Sequence, residues 1–353
     1  MIKLPPFPRV APVLLGAILF LSVGCKDKDQ ADDWTGHQGI EVDTPEKEDK
    51  PTEKLVPVSA PTPPPEKPTE TSVVDSDIPE ENSGIRFISY NVQNWLTMDR
   101  YVDGKREKGA PKPETERMAI TKLLVASRPD ILGVSEVGTQ EDVRDLQLHL
   151  EKAGHAMPHY HLTRGVDPTR SLAILSRFPI KNTVTHKDLT YTSNGRSDAM
   201  QRGILDATID TPSGEFRFLG VHFKSKREID DGDQADMRLN EAHLLRREVD
   251  TILEETPEAR LVVYGDFNDT RQSPAIKAVR GKGAKKLLMI ALKDSRGDYW
   301  THHWNYQDVY SRIDYVLISG ALRNSVEWDR CKVLDGEFVK EASDHRPLLV
   351  ILR

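Results

Sequence analysis

Ten residues, Leu261 to Thr270 (LVVYGDFNDT), constrain this chain more than any others. Leu261-Val262-Val263-Tyr264 is a β-branched and aromatic run of the kind that forms a buried strand. It ends abruptly in Gly265-Asp266-Phe267-Asn268-Asp269. A strand interior has no use for so many polar groups. The end of a strand in an α/β protein combines rigid backbone with open solvent, and that is where such proteins place their chemistry. Asp266 and Asn268 are two apart, so in extended backbone they point to the same side. One brings a negative charge, the other an amide with donors and an acceptor. The pair suits a phosphate and a water held beside a metal ion. Read alone, the segment is equally a strand followed by an Asx turn, since Asp, Asn and Gly are turn formers.

The rest of the chain divides into three parts. Residues 1–24 read as a secretory signal: Lys3 and Arg9 flank an apolar run, Val10 to Val23, too short for a comfortable membrane span. Its end, Leu21-Ser22-Val23-Gly24-Cys25, resembles the lipobox of bacterial lipoproteins, which implies a lipidated Cys25 and a membrane anchor. Ser22 stands where Leu is usual, so ordinary signal cleavage after Gly24 and secretion remain open. Residues 25–84 are expected to be a disordered, acidic, Pro-rich linker. Residues 26–84 carry 6 Lys+Arg against 16 Asp+Glu and contain 9 prolines, with too little apolar content to offset chain entropy. The whole chain is at −7, so 85–353 is nearly neutral, which neither demands nor excludes a polyanionic substrate. The two cysteines, Cys25 and Cys331, allow no disulfide framework or cysteine metal site.

From Ile85 onward, strands and helices intermix. Arg86 to Asn91, Ile131 to Glu136, Ser171 to Leu175, Ile204 to Ile209, Phe216 to His222, Ile313 to Ile318 and Leu348 to Leu352 read as strands. Glu114 to Ser127 reads as a helix with Met118, Ala119, Leu123 and Ala126 on one stripe. A second helix starts at a capping-box pattern, Thr139 with Asp142, and runs to Lys152. Gln234 to Glu254 is a long helix and Ser273 to Arg280 a short one. Residues 99–113, with Lys105, Arg106, Lys108 and Lys112, read as a polar loop. The mixture predicts one α/β domain with mixed sheets over 85–353.

Six strand ends carry isolated polar residues against apolar backgrounds: Asn91, Glu136, His222, the Asp266/Asn268 pair, Asp314, and Asp344 with His345. Each alone is ordinary punctuation. Together, in this order, they are not. The segments SYNVQNW (89–95), PDILGVSE (129–136), LAILSRFPI (172–180), GVHFKSK (220–226), VVYGDFND (262–269), SRIDYVLIS (311–319) and SDHRP (343–347) resemble the endonuclease/exonuclease/phosphatase superfamily, which includes DNase I-like nucleases, inositol-phosphate phosphatases and bacterial sphingomyelinases. The resemblance implies a four-layer α/β sandwich, two mixed β-sheets packed face to face with helices outside. It also implies divalent-metal phosphoester hydrolysis.

Mg²⁺ wants hard oxygen ligands and keeps several waters, so one or two carboxylates suffice; Mn²⁺ or Ca²⁺ would also fit. Glu136 is the expected principal ligand, with Asn91 and Asp344 completing or bracing the site. Asp266 and Asn268 would orient the attacking water and hold the phosphate. His345 is the candidate base or phosphate stabiliser, with Asp314 fixing its tautomer. His222 would serve the leaving-group side. Arg202 and Lys224, followed by Lys226, are candidate substrate contacts. The aromatic stretch Trp300-Thr301-His302-His303-Trp304 reads first as packing under a loop, with base stacking as the alternative. A metal site at His302-His303 is not expected, because adjacent side chains seldom converge on one ion.

The readings that follow are an exported nuclease acting on DNA or RNA, a hydrolase of a phospholipid headgroup or inositol phosphate, and a non-catalytic surface binding module. Residues 99–113 and 223–236 contain no apolar run of the kind a lipid-binding hairpin needs, which favours nucleic acid. No partner protein is inferred.

Overall fold

The computed structural model describes residues 84–102, 104–193, 195–227 and 232–353. The expected signal peptide, the lipidation site at Cys25 and the linker through residue 83 lie outside the described residues.

In chain order the first strands are β1 (Ile85–Trp95), β2 (Met98–Val102) and β3 (Lys105–Ala110), followed by α1 (Glu114–Ser127), β4 (Ile131–Val137) and α2 (Gln140–Lys152). Next come β5 (His159–Thr163), β6 (Ser171–Ser176), β7 (Ile180–Thr183), β8 (Thr190–Ser193), β9 (Arg196–Ala199), β10 (Leu205–Thr211) and β11 (Gly214–His222). Then follow α3 (Gln234–Glu255), β12 (Leu261–Asp266), α4 (Pro274–Arg280), β13 (Leu288–Met289), β14 (His302–Trp304), β15 (Val309–Ser311) and β16 (Asp314–Ile318). The last elements are β17 (Lys332–Val333), α5 (Val339–Ala342) and β18 (Leu348–Leu352).

Two six-stranded sheets result, in the orders β17-β18-β1-β4-β6-β5 and β13-β16-β12-β11-β10-β7. Each has one parallel pair near its centre, β1/β4 and β11/β12, with antiparallel neighbours outside it. A parallel pair needs a crossover, and α1 and α3 lie within those two connections.

Period-two alternation assigns the faces. Phe87, Ile131, Ile174, Phe218, Val262, Tyr264, Val316 and Val350 form the core between the sheets. Their alternates Ile88, Leu132, Ala173 and Leu349 pack with residues of α1 and α2, while Leu219, Val263 and Leu317 pack with residues of α3 and α4. The architecture is therefore the expected four-layer sandwich. The sheets meet closely at Tyr264: a Cβ added at Gly133 in the facing sheet would lie 2.1 Å from its ring, while within its own sheet one at Gly220 would lie 2.7 Å from its hydroxyl oxygen.

Local expectations fared unevenly. The capping box at Thr139/Asp142 is formed, and α3 and α4 start where Asp233 and Ser273 accept backbone N–H groups. In α1 the buried stripe is Ala119, Ile120, Leu123, Leu124 and Ser127, with Met118 46% exposed and Ala126 outward. Residues 99–113 are no simple loop: they carry the β2/β3 hairpin, whose β3 is exposed except at Ala110.

Candidate active site

The residues of the six strand ends converge where the carboxyl ends of the two parallel pairs meet. Register does much of this. His222 sits opposite Asp266 across β11/β12, and Asp266 opposite Asp314 across β12/β16, so one row of one sheet carries all three. In the other sheet the β1/β4 and β4/β6 ladders slip at the strand ends. Gln93, Asn94 and Glu136 there hold φ of 46°, 60° and 65°. Left-handed backbone is unfavourable for such residues by about 1–2 kcal/mol each, so the surroundings must hold it. Asn91 Oδ1 accepts from the Gln93 N–H (3.0 Å), Glu136 Oε2 from the Asn94 N–H (3.0 Å), and the buried Lys112 Nζ donates to the Gln93 carbonyl (2.8 Å). The irregularity turns Glu136 toward the facing sheet.

Asn91 Nδ2 is the hub. It lies 3.2 Å from Glu136 Oε1, 3.1 Å from Asp266 Oδ2 and 3.4 Å from His345 Nε2. Its amide nitrogen faces the carboxylates, and its oxygen accepts the Gln93 N–H. Asp266 is buried and accepts the Asn268 N–H at Oδ1 (2.8 Å). Asn268 donates from Nδ2 to the Phe223 carbonyl (3.0 Å). Burial, then the charge of Asp314, pushes the Asp266 carboxyl up to about 7, against the pull of His345.

The two histidines are driven apart. Burial alone would depress His345, but Asp314, Asp266 and Asp344 outweigh it and hold the imidazole well above its ordinary value. Its Nδ1 faces Asp314 Oδ2 at 2.9 Å, and Thr301 Oγ1 donates to the same oxygen at 2.6 Å. His222 is buried as well. Desolvation, then the charges of Arg202 and Arg170, holds it well below its ordinary value. Its Nε2 lies 3.6 Å from Asp266 Oδ2 and 3.9 Å from Glu136 Oε1, and among the described residues its Nδ1 has no hydrogen-bond partner. Such a pair gives one cationic and one neutral imidazole at neutral pH.

Asp344 joins through the β14 side, with Oδ2 3.7 Å from His302 Nε2. Burial opposes its ionisation, but the His302 imidazole beside it and the charge of His345 keep its carboxyl low. Arg202 is buried and pairs through Nε with Asp167 Oδ2 (3.0 Å), so its charge reaches His222 from a fixed position. Lys224 is half-buried, with Nζ 3.5 Å from Ser225 Oγ, and Lys226 is exposed.

Several contributors carried no sequence signal. Glu241, fully buried in α3, accepts the Gln201 N–H (3.1 Å) and the Lys224 N–H (2.6 Å), and so sets both loops that bear Arg202 and Lys224. Arg170 Nε donates to Asn94 Oδ1 (2.9 Å) and lies 3.8 Å from Glu136 Oε2. Ser343 Oγ donates to the Asn91 carbonyl (2.9 Å) and accepts the His345 N–H (3.1 Å). Its place beside Asp344-His345 was the one available hint. Trp300 is half-buried, with the Arg346 guanidinium 3.9 Å from its ring centroid. The β14/β15 hairpin beyond it is aromatic and open to solvent, with Tyr306 84% and Tyr310 50% exposed.

The sequence model described as the Endonuclease/Exonuclease/phosphatase family matches residues 89–345. This chain belongs to that family. Its members are metal-dependent phosphoester hydrolases, and so is this protein. Solved structures agree at the level of fold, each aligned over 76% of this chain. A family protein from Leptotrichia buccalis has 17% identity and a TM-score of 0.53, with 99% of its own chain covered. The human Nocturnin catalytic domain with bound sulfate has 18% identity and a TM-score of 0.52, with 93% covered. A mutant beta toxin from Staphylococcus aureus with bound magnesium ions has 14% identity and a TM-score of 0.50, with its whole chain covered. No curated protein matches by sequence.

The residues present fit a divalent cation. Glu136, Asp266, Asp314 and Asp344 crowd four carboxylates around Asn91, His222 and His345, and burial, then the charges of Asp314 and Glu136, raises the Asp266 carboxyl. Hard oxygens in such excess are the donor set for a hard dication. When bound, the cation supplies charge neutralisation at a phosphoryl oxygen.

Proposed function

We propose that this protein is an exported nuclease that hydrolyses phosphodiester bonds of DNA or RNA with Mg²⁺. What supports the substrate class is Arg170, 3.8 Å from Glu136 Oε2 in the carboxylate cluster, together with the charges of Arg202 and Lys224 that also act on His222. Fixed cations on one side of a metal-binding pocket draw in a polyanion and hold its phosphate. The exposed rings of the 302–311 hairpin add surfaces on which bases can stack.

In this reading Glu136 and Asp344 hold the metal, and Asn91 braces them. Asp266, with a carboxyl near 7, accepts the proton of a water that Asn268 helps to orient. His345, kept cationic by Asp314, stabilises the charge that develops on the phosphoryl oxygens. His222, kept neutral, donates a hydrogen bond on the leaving-group side. Export through residues 1–24, with anchoring at Cys25 and residues 25–84 as a spacer, places the enzyme in the bacterial envelope or outside the cell.

A phospholipid headgroup is the second reading. The exposed aromatic hairpin favours it, since such rings seat well at a membrane surface. That hairpin lies outside the two stretches, 99–113 and 223–236, whose polarity spoke against lipid.

The deciding experiment offers plasmid DNA, RNA, bis-p-nitrophenyl phosphate and sphingomyelin vesicles to the purified protein with Mg²⁺. EDTA and His345→Ala serve as controls. EDTA-sensitive cutting of plasmid or RNA supports the nuclease. Cleavage of sphingomyelin with nucleic acid untouched replaces it with the lipid reading. Inactivity toward all four, with metal bound, rejects both.

A further inference from the structure

His302 and His303 are adjacent yet face opposite ways, as strand residues do. His303 stacks on Tyr310 with ring centroids 4.0 Å apart and reaches Asp308 Oδ1 at 2.8 Å. His302 turns inward. Its ring lies 4.6 Å from that of His345 and its Nε2 3.7 Å from Asp344 Oδ2. A ligand atom from each of His302, Asp344 and His345 lies within 4.8 Å of the other two.

The backbone fixes this arrangement. Residues 302 and 345 form an isolated antiparallel bridge, the His303 N–H donates to the Asp344 carbonyl (2.9 Å), and the Arg346 N–H to the Thr301 carbonyl (2.7 Å). His302 Nδ1 sits 3.3 Å from Ser311 Oγ, which leaves Nε2 turned toward the carboxylate. A ligating imidazole is typically held in this way, its other nitrogen engaged by a neighbour that sets ring orientation. Two donors each bound at about 2.1 Å to one ion can be no more than about 4.2 Å apart, and the observed 3.7 Å falls inside that limit. His345 has its Nδ1 engaged by Asp314 at 2.9 Å, so the two groups at issue are His302 and Asp344.

We propose that His302 is a nitrogen ligand that joins Asp344 in holding the site's divalent cation, shifting its preference from Mg²⁺ toward an imidazole-binding first-row metal such as Zn²⁺. Mg²⁺ gains little from an imidazole, whereas nitrogen donors raise affinity for first-row transition metals. The inference rests on the metal-dependent reading of the site, and its test is separate from hydrolysis.

Chelator-stripped full-length protein is titrated calorimetrically with Zn²⁺ and, separately, with Mg²⁺. Wild type, His302→Ala and His303→Ala are compared. Loss of a second-shell partner alone weakens metal binding ~10–100-fold, so His302→Ala should weaken Zn²⁺ by at least that factor. Mg²⁺ affinity should change little, and His303→Ala should match wild type. X-ray absorption of the zinc-loaded protein should show imidazole scattering that His302→Ala diminishes. Equal Zn²⁺ affinity in wild type and His302→Ala overturns the assignment, as does an equal fall for both metals, which would mean His302 only orders Asp344. Metal-dependent hydrolysis with His302-independent zinc binding sinks this inference alone. His302-dependent zinc binding without hydrolysis sinks the proposed activity and leaves the ligand in place.

Discussion

Gly133→Ala should damage stability and catalysis together, through one contact. Gly133 lies in β4 of one sheet and faces Tyr264 in β12 of the other. The new methyl carbon would stand 2.1 Å from Tyr264 Cε2, 2.4 Å from Cζ and 2.6 Å from the hydroxyl oxygen. Carbon atoms pack at about 3.5–4.0 Å, so ring and methyl must separate by roughly 1.4 Å. The ring cannot yield locally. Phe87 meets it edge-on at 4.9 Å, Phe218 lies 6.4 Å away, and Gly220 leaves no slack behind the hydroxyl. The strain therefore passes to the backbone of the two sheets. Overpacking of this kind destabilises by about 1–3 kcal/mol, and the depth of the overlap places this substitution near 3. Tyr264 is two residues from Asp266 on the same strand, and a displacement of about 1 Å at reacting groups lowers rates on the order of 100-fold. Urea denaturation gives the stability, and kcat/KM on a small diester gives the activity. Tyr264→Leu removes the obstruction, so the double variant should lose less than the sum of the two singles. A loss under about 0.5 kcal/mol with unchanged kcat/KM, or strict additivity in the double variant, would refute the reasoning.

Three further outcomes are expected. Asp314→Asn should lower kcat/KM by ~10²–10⁴ while the circular dichroism spectrum holds, because it removes the charge that keeps His345 cationic. The pH profile carries the sign. His345 is held above its ordinary value, so activity should persist through neutrality and fall as pH rises through that elevated value; in Asp314→Asn this alkaline limb should move to lower pH. The buried pair Asp294–Arg346 (2.8 Å) should make Asp294→Asn destabilising by about 3–5 kcal/mol in denaturant titrations at pH 7. Burial opposes ionisation of Asp294, yet the Asp298 N–H and Arg346 bring its carboxyl down to about 2, so its contribution is present above the unfolded carboxylate value and fades as pH falls toward 2. Asp294→Asn should show less acid sensitivity in that window.

What was legible in the sequence was whatever depends on alternation along one strand. The apolar runs ending in Asn91, Glu136, His222 and Asp266, and the run that opens at Asp314, announced both the strands and the polar ends, and the residues between them carried the family wording. Glu241 was invisible because a glutamate in a long amphipathic helix looks like any solvated position. Its burial arises only when two loops close over α3. The β2/β3 hairpin was missed because its strands are mostly exposed and charged, so no period-two apolar signal exists. Met118 and Ala126 were misassigned because the α1 stripe follows the angle at which the helix crosses its sheet, which local sequence does not encode. The two adjacent imidazoles do not converge, as expected of neighbouring strand residues: His303 turns to Tyr310, and His302 turns toward Asp344.

The placement of β18 bears on when this enzyme can first become active. Leu348–Leu352 is an interior strand, bonded to β1 on one side and β17 on the other, and His345 lies three residues before it. The first described strand thus waits for a partner more than 250 residues later in the chain. A polypeptide emerging from the ribosome carries β1 with an open edge and an unassembled centre until that partner arrives. Hydrolysis is in this way withheld from every shorter intermediate. A phosphoester hydrolase acquires a delay built from strand order alone.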